Sequence, residues 1–170
     1  MYFVEANYKS KFMGVEIERK FLVDRKAWQI LEKPAGEMYR QGYLLTDPAK
    51  TIRVRQTSDK GFLTIKGISV GATRAEFEYE IPFDEAGELL DQFASSSLSK
   101  MRYKILVANN LWEVDEFFGD NEGLIVAEIE LKDEAEIFQI PVWVEDEVTG
   151  DEKYYNSNLT LFPFKDWNNN

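Results

Sequence analysis

Hydrophobic and polar residues alternate with a period of two through eight short stretches: Val15 to Val23, Tyr39 to Leu45, Thr51 to Thr57, Phe62 to Gly67, Arg74 to Pro82, Lys100 to Val107, Leu111 to Phe118 and Leu124 to Leu131. Alternate side chains of an extended strand point to opposite faces, so the pattern predicts about eight strands in a mostly antiparallel meander. The breaks have causes in turn chemistry. Asp47-Pro48 starts a turn, Asp59-Lys60-Gly61 and Asn109-Asn110 suit tight hairpins, and Gly119 to Gly123 suits a looser loop. Helical spacing is rarer. It predicts Arg25 to Lys33, with Ala27, Trp28, Ile30 and Leu31 as a partial apolar face, and Asp84 to Phe93, with Asp84 as N-cap and Leu89, Leu90 and Phe93 buried. A third short helix is expected near Asp133 to Ile137. The acidic run Glu145 to Glu152 reads as a loop, and the polar tail Asn168 to Asn170 is expected to fray. The fold class is mainly β, of the α+β kind.

Taken in strand register, one face is charged. It carries Glu16, Glu18 and Lys20; Arg53 and Arg55; Lys66; Glu76 and Glu78; Arg102 and Lys104; Glu113 and Asp115; then Glu128, Glu130 and Lys132. The other face is apolar and includes Ile17, Phe21, Val54, Ile65, Phe77, Tyr79, Trp112, Val114 and Ile129. A half-buried sheet with a wet charged face explains any one of these doublets. Acids concentrated on some strands and bases on others, with few neutral residues between, ask for more. If the sheet closes into a barrel, these side chains point inward, where about eight strands leave room for one small ligand. Buried charges in that number need partners.

Composition narrows the chemistry. A chain of 170 residues reads as one domain with a real core, and 14% aromatic content supports it. There is no cysteine and no histidine. Disulfides, thiolate zinc sites, imidazole ligands and a Ser-His-Asp triad are therefore excluded, and any metal must be bound by oxygen. The net charge of −11 disfavours loose binding to nucleic acid or to an anionic membrane. No apolar run reaches the roughly 20 residues of a membrane helix, and no signal-peptide core is visible, so a cytoplasmic protein is expected. Residues Met1 to Phe12 lack clear periodicity and Met13 lies just ahead of the first strand, so 1–13 read as an extension or a misassigned start, with an ordinary ordered segment as the alternative, ahead of a single domain over 14–161 and with 162–170 as a tail.

Within the first strand, two carboxylates beside an ammonium suit a hard cation such as Mg²⁺ bridged to a phosphoryl oxygen that the lysine also meets. A ligand carrying several negative charges, with divalent cations linking it to the acids, satisfies both signs of the charged face together. An inorganic or nucleoside polyphosphate fits, gripped by arginine forks and by lysine point charges.

The ordered set of motifs resembles the CYTH superfamily of triphosphate tunnel metalloenzymes. An ExExK signature stands at Glu16, Glu18 and Lys20 within the opening EIERKFLV; Gln41-Gly42-Tyr43-Leu44 follows, and Glu147-Val148-Thr149, Asp151 and Tyr154 to Asn156 match a late pattern. The likeness runs from Gly14 to about Leu161. It implies an eight-stranded antiparallel barrel forming a tunnel, with a few helices outside. It also implies metal binding by Glu16, Glu18, Glu128 and Glu130, supported by Asp115, Glu113, Glu76 and Glu78, with one or two Mg²⁺ or Mn²⁺ ions. The bases Lys20, Arg53, Arg55, Lys66 and Arg102 match triphosphate-gripping positions, while Lys104 and Lys132 are rim candidates. Tyr43 matches a tyrosine that pairs with the signature lysine, whose charge is expected to lower the phenol's pKa; a packed aromatic is the alternative. One departure stands out: where relatives carry two bases before the late tyrosine, this chain has Glu152-Lys153, leaving Lys153 for one phosphate contact.

The resemblance implies metal-dependent hydrolysis of a triphosphate, with inorganic tripolyphosphate preferred and with Lys20, Tyr43, Glu128 and Glu130 in catalysis. Hydrolysis of thiamine or nucleoside triphosphates, adenylate cyclase activity and a non-catalytic polyphosphate-binding module are the alternatives. Trp143, Phe162, Phe164 and Trp167 either form an interface, which admits a homodimer, or cover the barrel's apolar outside.

Overall fold

The computed structural model describes residues 14–169; the extension expected over residues 1–13 lies outside the described residues. Nine strands and three α-helices follow in chain order: β1 (Val15–Val23), α1 (Arg25–Ile30), β2 (Glu37–Asp47), β3 (Lys50–Gln56), β4 (Gly61–Gly67), β5 (Thr73–Ile81), α2 (Phe83–Gln92), β6 (Ser96–Val107), β7 (Asn110–Phe117), β8 (Ile125–Glu130), β9 (Val144–Glu147) and α3 (Asn156–Leu159). Short 3₁₀ turns occupy Gly119–Asn121, Glu152–Tyr154 and Phe164–Asn169.

The strands run β5-β4-β3-β2-β6-β7-β8-β1, and β1 returns to β5, so eight antiparallel strands close into a barrel. Closure depends on β1 working at both edges. Glu18 to Leu22 pair with β8 on one edge; on the other, Val15 to Ile17 pair with β5 and Phe21 and Val23 with β9. Between those two pairings, Ala72 accepts from the Glu18 amide at 3.0 Å and Thr149 Oγ1 from the Lys20 amide at 2.9 Å. The backbone of the signature segment is thereby satisfied on both sides.

Two cores cover parts of the barrel's outside. Phe21, Trp28, Trp112, Val114, Ala127, Ile129 and Trp143 pack together, with Trp143 5.7 Å from Trp28 and 5.8 Å from Trp112, ring centre to ring centre. On the opposite side α2 brings Ala86 and Leu90 onto Val54. Two glycines allow that approach: a Cβ at Gly42 would stand 2.9 Å from Leu90 Cδ2, and one at Gly61 would stand 2.5 Å from Ala86 Cβ. A third cluster, Leu98, Phe117, Leu124, Val126 and Leu159, gathers the last inward-facing positions of β6, β7 and β8 with α3.

Several expectations change. The acidic run is not all loop: Val144–Glu147 forms β9, because Glu147 takes a two-point hydrogen bond from Arg19 while its backbone pairs with β1. No helix forms at Asp133 to Ile137. Asp133 instead closes a turn, accepting from the Ala135 amide at 2.8 Å, while Glu136 accepts from the Lys132 amide at 2.7 Å. Asp84 is not the N-cap of α2; Pro82 holds that place without a side-chain bond, and Asp84 contributes only charge in the first turn. Helix α1 stops at Ile30, short of Lys33, where Leu31 turns extended. The outer apolar face is covered unevenly, since Ile65, Phe77 and Tyr79 remain 39, 49 and 55 % exposed. Of the late aromatics, Trp143 joins the outer core, Phe164 and Trp167 pack against the third cluster, and Phe162 stays exposed.

Candidate active site

Alternation fills the barrel with charge. Glu16, Lys20, Arg53, Lys66, Glu76, Lys100, Arg102, Asp115 and Glu128 are all buried, each at an inward position of its strand. The ladder changes character at one end. Two residues beyond Lys20, Lys100, Asp115 and Glu128 on the same faces stand Leu22, Leu98, Phe117 and Val126, which with Leu159 form the apolar cluster there. The charged chamber thus lies against an apolar floor.

One group of side chains joins β1, β6, β7 and β8. Lys20 is the register partner of Glu128 and donates to it, and its Nζ lies 3.6 Å from Glu18. Arg102 donates to both oxygens of Asp115, at 2.7 and 2.6 Å, to Glu128 at 2.8 Å, and to Glu113. Lys100 completes the group with a 2.5 Å bond to Asp115. A second group joins β1, β3, β4 and β5. Lys66 lies 3.1 Å from Glu16 and 2.9 Å from Glu76, and Arg74 donates to Glu16 at 2.7 Å. Glu78 accepts from Arg53 at 3.3 Å, from Arg55 at 3.2 Å and from Thr64 at 2.9 Å.

The protonation behaviour follows from these neighbours. Burial works against the charged form of Glu128, yet Lys20, Arg102 and Lys100 outweigh it and hold the carboxyl well below its usual range. Glu16 is likewise held low against burial, by Lys66, a hydrogen bond with Glu76 and Arg74. Glu18 goes the other way: burial first, then the charge of Glu128, push it up to about 7 against the pull of Lys20. Lys100 is pushed down to about 8, by burial and by its neighbour Arg102. For Tyr43 the expected lowering is not found. Burial raises its phenol, and Arg53, Arg74 and Lys20 only partly offset that. Gln41 Nε2 donates to the Tyr43 hydroxyl at 3.2 Å. A buried neutral phenol orients a water or a phosphoryl oxygen; it does not serve readily as a base.

The rim candidates are now placed. Lys104 has its side chain 52 % exposed, 3.8 Å from Glu113, and Lys132 is exposed past the end of β8. Glu130, exposed, is the register partner of Glu18. Lys153 is exposed, with its ammonium 4.0 Å from the centre of the Trp167 ring, among the C-terminal aromatics. Lys100, Arg74 and Thr64 were missed by the sequence reading although each shares a face with residues it named: Arg102, Glu76 and Lys66 respectively.

The donor set suits a hard cation, since every candidate ligand is a carboxylate oxygen. Among the described residues no three acids converge as a closed metal-ligand group; the acids are drawn to the bases instead. Glu18 is nevertheless compatible with a cation, since its charged form is disfavoured by burial first and then by Glu128 and Glu16 beside it. A divalent ion relieves that repulsion and favours the ionised carboxyl. Glu18, Glu128, Glu130 and Glu113 occupy paired register positions on β1, β8 and β7.

Comparison with known proteins agrees in length and fold. The CYTH domain family model matches residues 14–161. The chain is 51% identical over 156 residues to an inorganic triphosphatase of Acetivibrio thermocellus, covering 91% of this chain and 99% of that protein. An inorganic triphosphatase of Nitrosomonas europaea is 36% identical over 155 residues, covering 86% and 97%. A solved structure of an inorganic triphosphatase superposes with a TM-score of 0.60 at 34% identity, covering 86% of this chain and 94% of that one.

Proposed function

The chain belongs to the CYTH domain family, and from that premise we propose that its charged chamber binds and hydrolyses inorganic tripolyphosphate to pyrophosphate and phosphate. It is a triphosphatase, a hydrolase of phosphoanhydride bonds. The observation that carries the reading is the pairing of acids with bases inside the barrel. Buried charges of both signs stand where a polyanion and a cation can exchange into them: the bases turn to phosphate oxygens and the acids are freed for metal.

A divalent cation belongs to this family's chemistry, and Mg²⁺ or Mn²⁺ is the proposed ion. Glu16, Glu18, Glu128 and Glu130 would hold it, with Asp115, Glu113, Glu76 and Glu78 supporting; when bound, it offsets phosphate charge and promotes attack by water. The chain's own residues do the rest. Arg53, Arg55, Lys66 and Arg102 grip the phosphoryl oxygens and stabilise charge on the leaving pyrophosphate. Lys20, desolvated but kept protonated by Glu128 and Glu18, sets a fixed positive charge beside the acids. Tyr43, neutral and hydrogen-bonded to Gln41, orients the attacking water or the phosphoryl group. Lys104 contributes from the rim. Lys153 reaches phosphate only by leaving Trp167.

Glu128→Gln with Glu130→Gln separates a hydrolase from a binding module. The double variant should keep tripolyphosphate affinity within about tenfold while turnover falls at least about 100-fold. Equal loss of both would contradict the proposed division of labour.

A further inference from the structure

Tyr39 stands among the chamber's charges without belonging to an ion pair. It is 5 % exposed and inward-facing on β2, the strand between β3 and β6. Its ring lies under two guanidinium groups: the Arg55 Cζ is 5.0 Å from the ring centre and the Arg102 Cζ 5.4 Å. Phe62 flanks Arg55 as well, also at 5.0 Å. Register explains the arrangement. Arg55 is opposite Gln41, two residues along the same face from Tyr39, while Tyr39 is opposite Lys100, two residues from Arg102.

The two arginines differ in how they are neutralised. Arg102 has Asp115, Glu113 and Glu128, whereas Arg55 has Glu78, which it shares with Arg53. The Nε atoms of Arg53 and Arg55 are buried without a hydrogen-bond partner. Repulsion from Arg53 and Arg102 adds to the burial of Arg55. A guanidinium held by two ring faces and half a carboxylate is poised for an anion, and the rings fix its plane without consuming its donors.

We propose that Tyr39 is a positioning residue for the triphosphate, its ring face setting the spacing and tilt of Arg55 and Arg102 so that both forks meet neighbouring phosphoryl groups. This rests on the triphosphatase reading above. The role belongs to the ring and not to the hydroxyl, which burial pushes up to about 12 and keeps neutral at working pH.

The test compares Tyr39→Phe and Tyr39→Leu in the full chain, by steady-state tripolyphosphate hydrolysis with Mg²⁺ or Mn²⁺ and by thermal unfolding. Tyr39→Phe should match the wild type within about twofold in KM and kcat. Tyr39→Leu should raise KM about thirtyfold, the worth of a desolvated cation–ring contact, with kcat within about threefold. If Tyr39→Leu does not fold, Tyr39→Met replaces it with the same expectation. An unchanged KM in the folded aliphatic variant, or a Phe variant as impaired as the Leu variant, overturns the positioning role. A wild-type protein that hydrolyses no tripolyphosphate overturns the underlying reading instead, so the two failures are distinguishable.

Discussion

Lys20 and Glu128 are register partners across β1 and β8, and their side chains meet as a buried ion pair inside the barrel. Arg102 holds the other Glu128 oxygen at 2.8 Å. Lys20→Ala therefore leaves the carboxylate buried but not wholly unpaired. The expected loss of stability is about 3 kcal/mol, the low end for breaking such a pair, with kcat reduced at least about 100-fold. Denaturant melts and initial rates check both; a Lys20→Ala enzyme with normal turnover would remove the lysine from the mechanism.

On the proposed ligand set, Glu18 should make cation binding pH-dependent. Its carboxyl is pushed up to about 7 by burial and by Glu128, so below that pH the metal-free protein carries a proton there that a cation must displace. Metal affinity should rise with pH up to about 7 and level off above it. Calorimetry in buffers of different ionisation enthalpy should show net proton release near neutrality, and Glu18→Gln should abolish it.

The same groups shape stability without metal. The Glu18 carboxyl is raised from its ordinary value of 4.5, so its contribution is fully present below pH 4.5 and is lost as pH rises to about 7. Glu16, Asp115 and Glu128 are lowered, so their contribution is present above the ordinary carboxylate range and is lost on acidification. Thermal midpoints in chelator should therefore peak at about pH 5 and fall on both sides. A steady rise from pH 5 to 8 would contradict the assignment of Glu18.

Trp112 is fully buried between Phe21, Phe138 and Trp143 on the outside of the barrel. Trp112→Ala should cost about 3–5 kcal/mol. The fraction that stays folded should keep its KM, because the ring faces away from the charged chamber.

The barrel's inner face was legible because two-residue alternation is strict: once Glu16, Glu18 and Lys20 share a face, Arg53, Lys66, Asp115 and Glu128 follow from their own strands. Arg74 and Lys100 obey the same rule and were passed over at strand starts, where alternation has no preceding residue to anchor it. Other features depend on distant partners. β9 exists because Arg19 reaches Glu147, 128 residues away, and the C-terminal turns exist because Leu159 and Trp167 find the apolar end of the barrel. The raised phenol of Tyr43 was not legible either, since its burial depends on how β2 sits between β3 and β6. Helical spacing at Asp133 to Ile137 was overridden by the Ala135 and Lys132 amides, which donate to the Asp133 and Glu136 side chains.

The most direct test follows phosphate, pyrophosphate and cyclic AMP from the purified protein given tripolyphosphate, and separately ATP, with Mg²⁺ or Mn²⁺ and with excess chelator. Phosphate release should be much faster from tripolyphosphate and abolished by chelator, with no cyclic AMP formed. Chelator-insensitive release, cyclic AMP with pyrophosphate from ATP, or binding without turnover would contradict the triphosphatase reading.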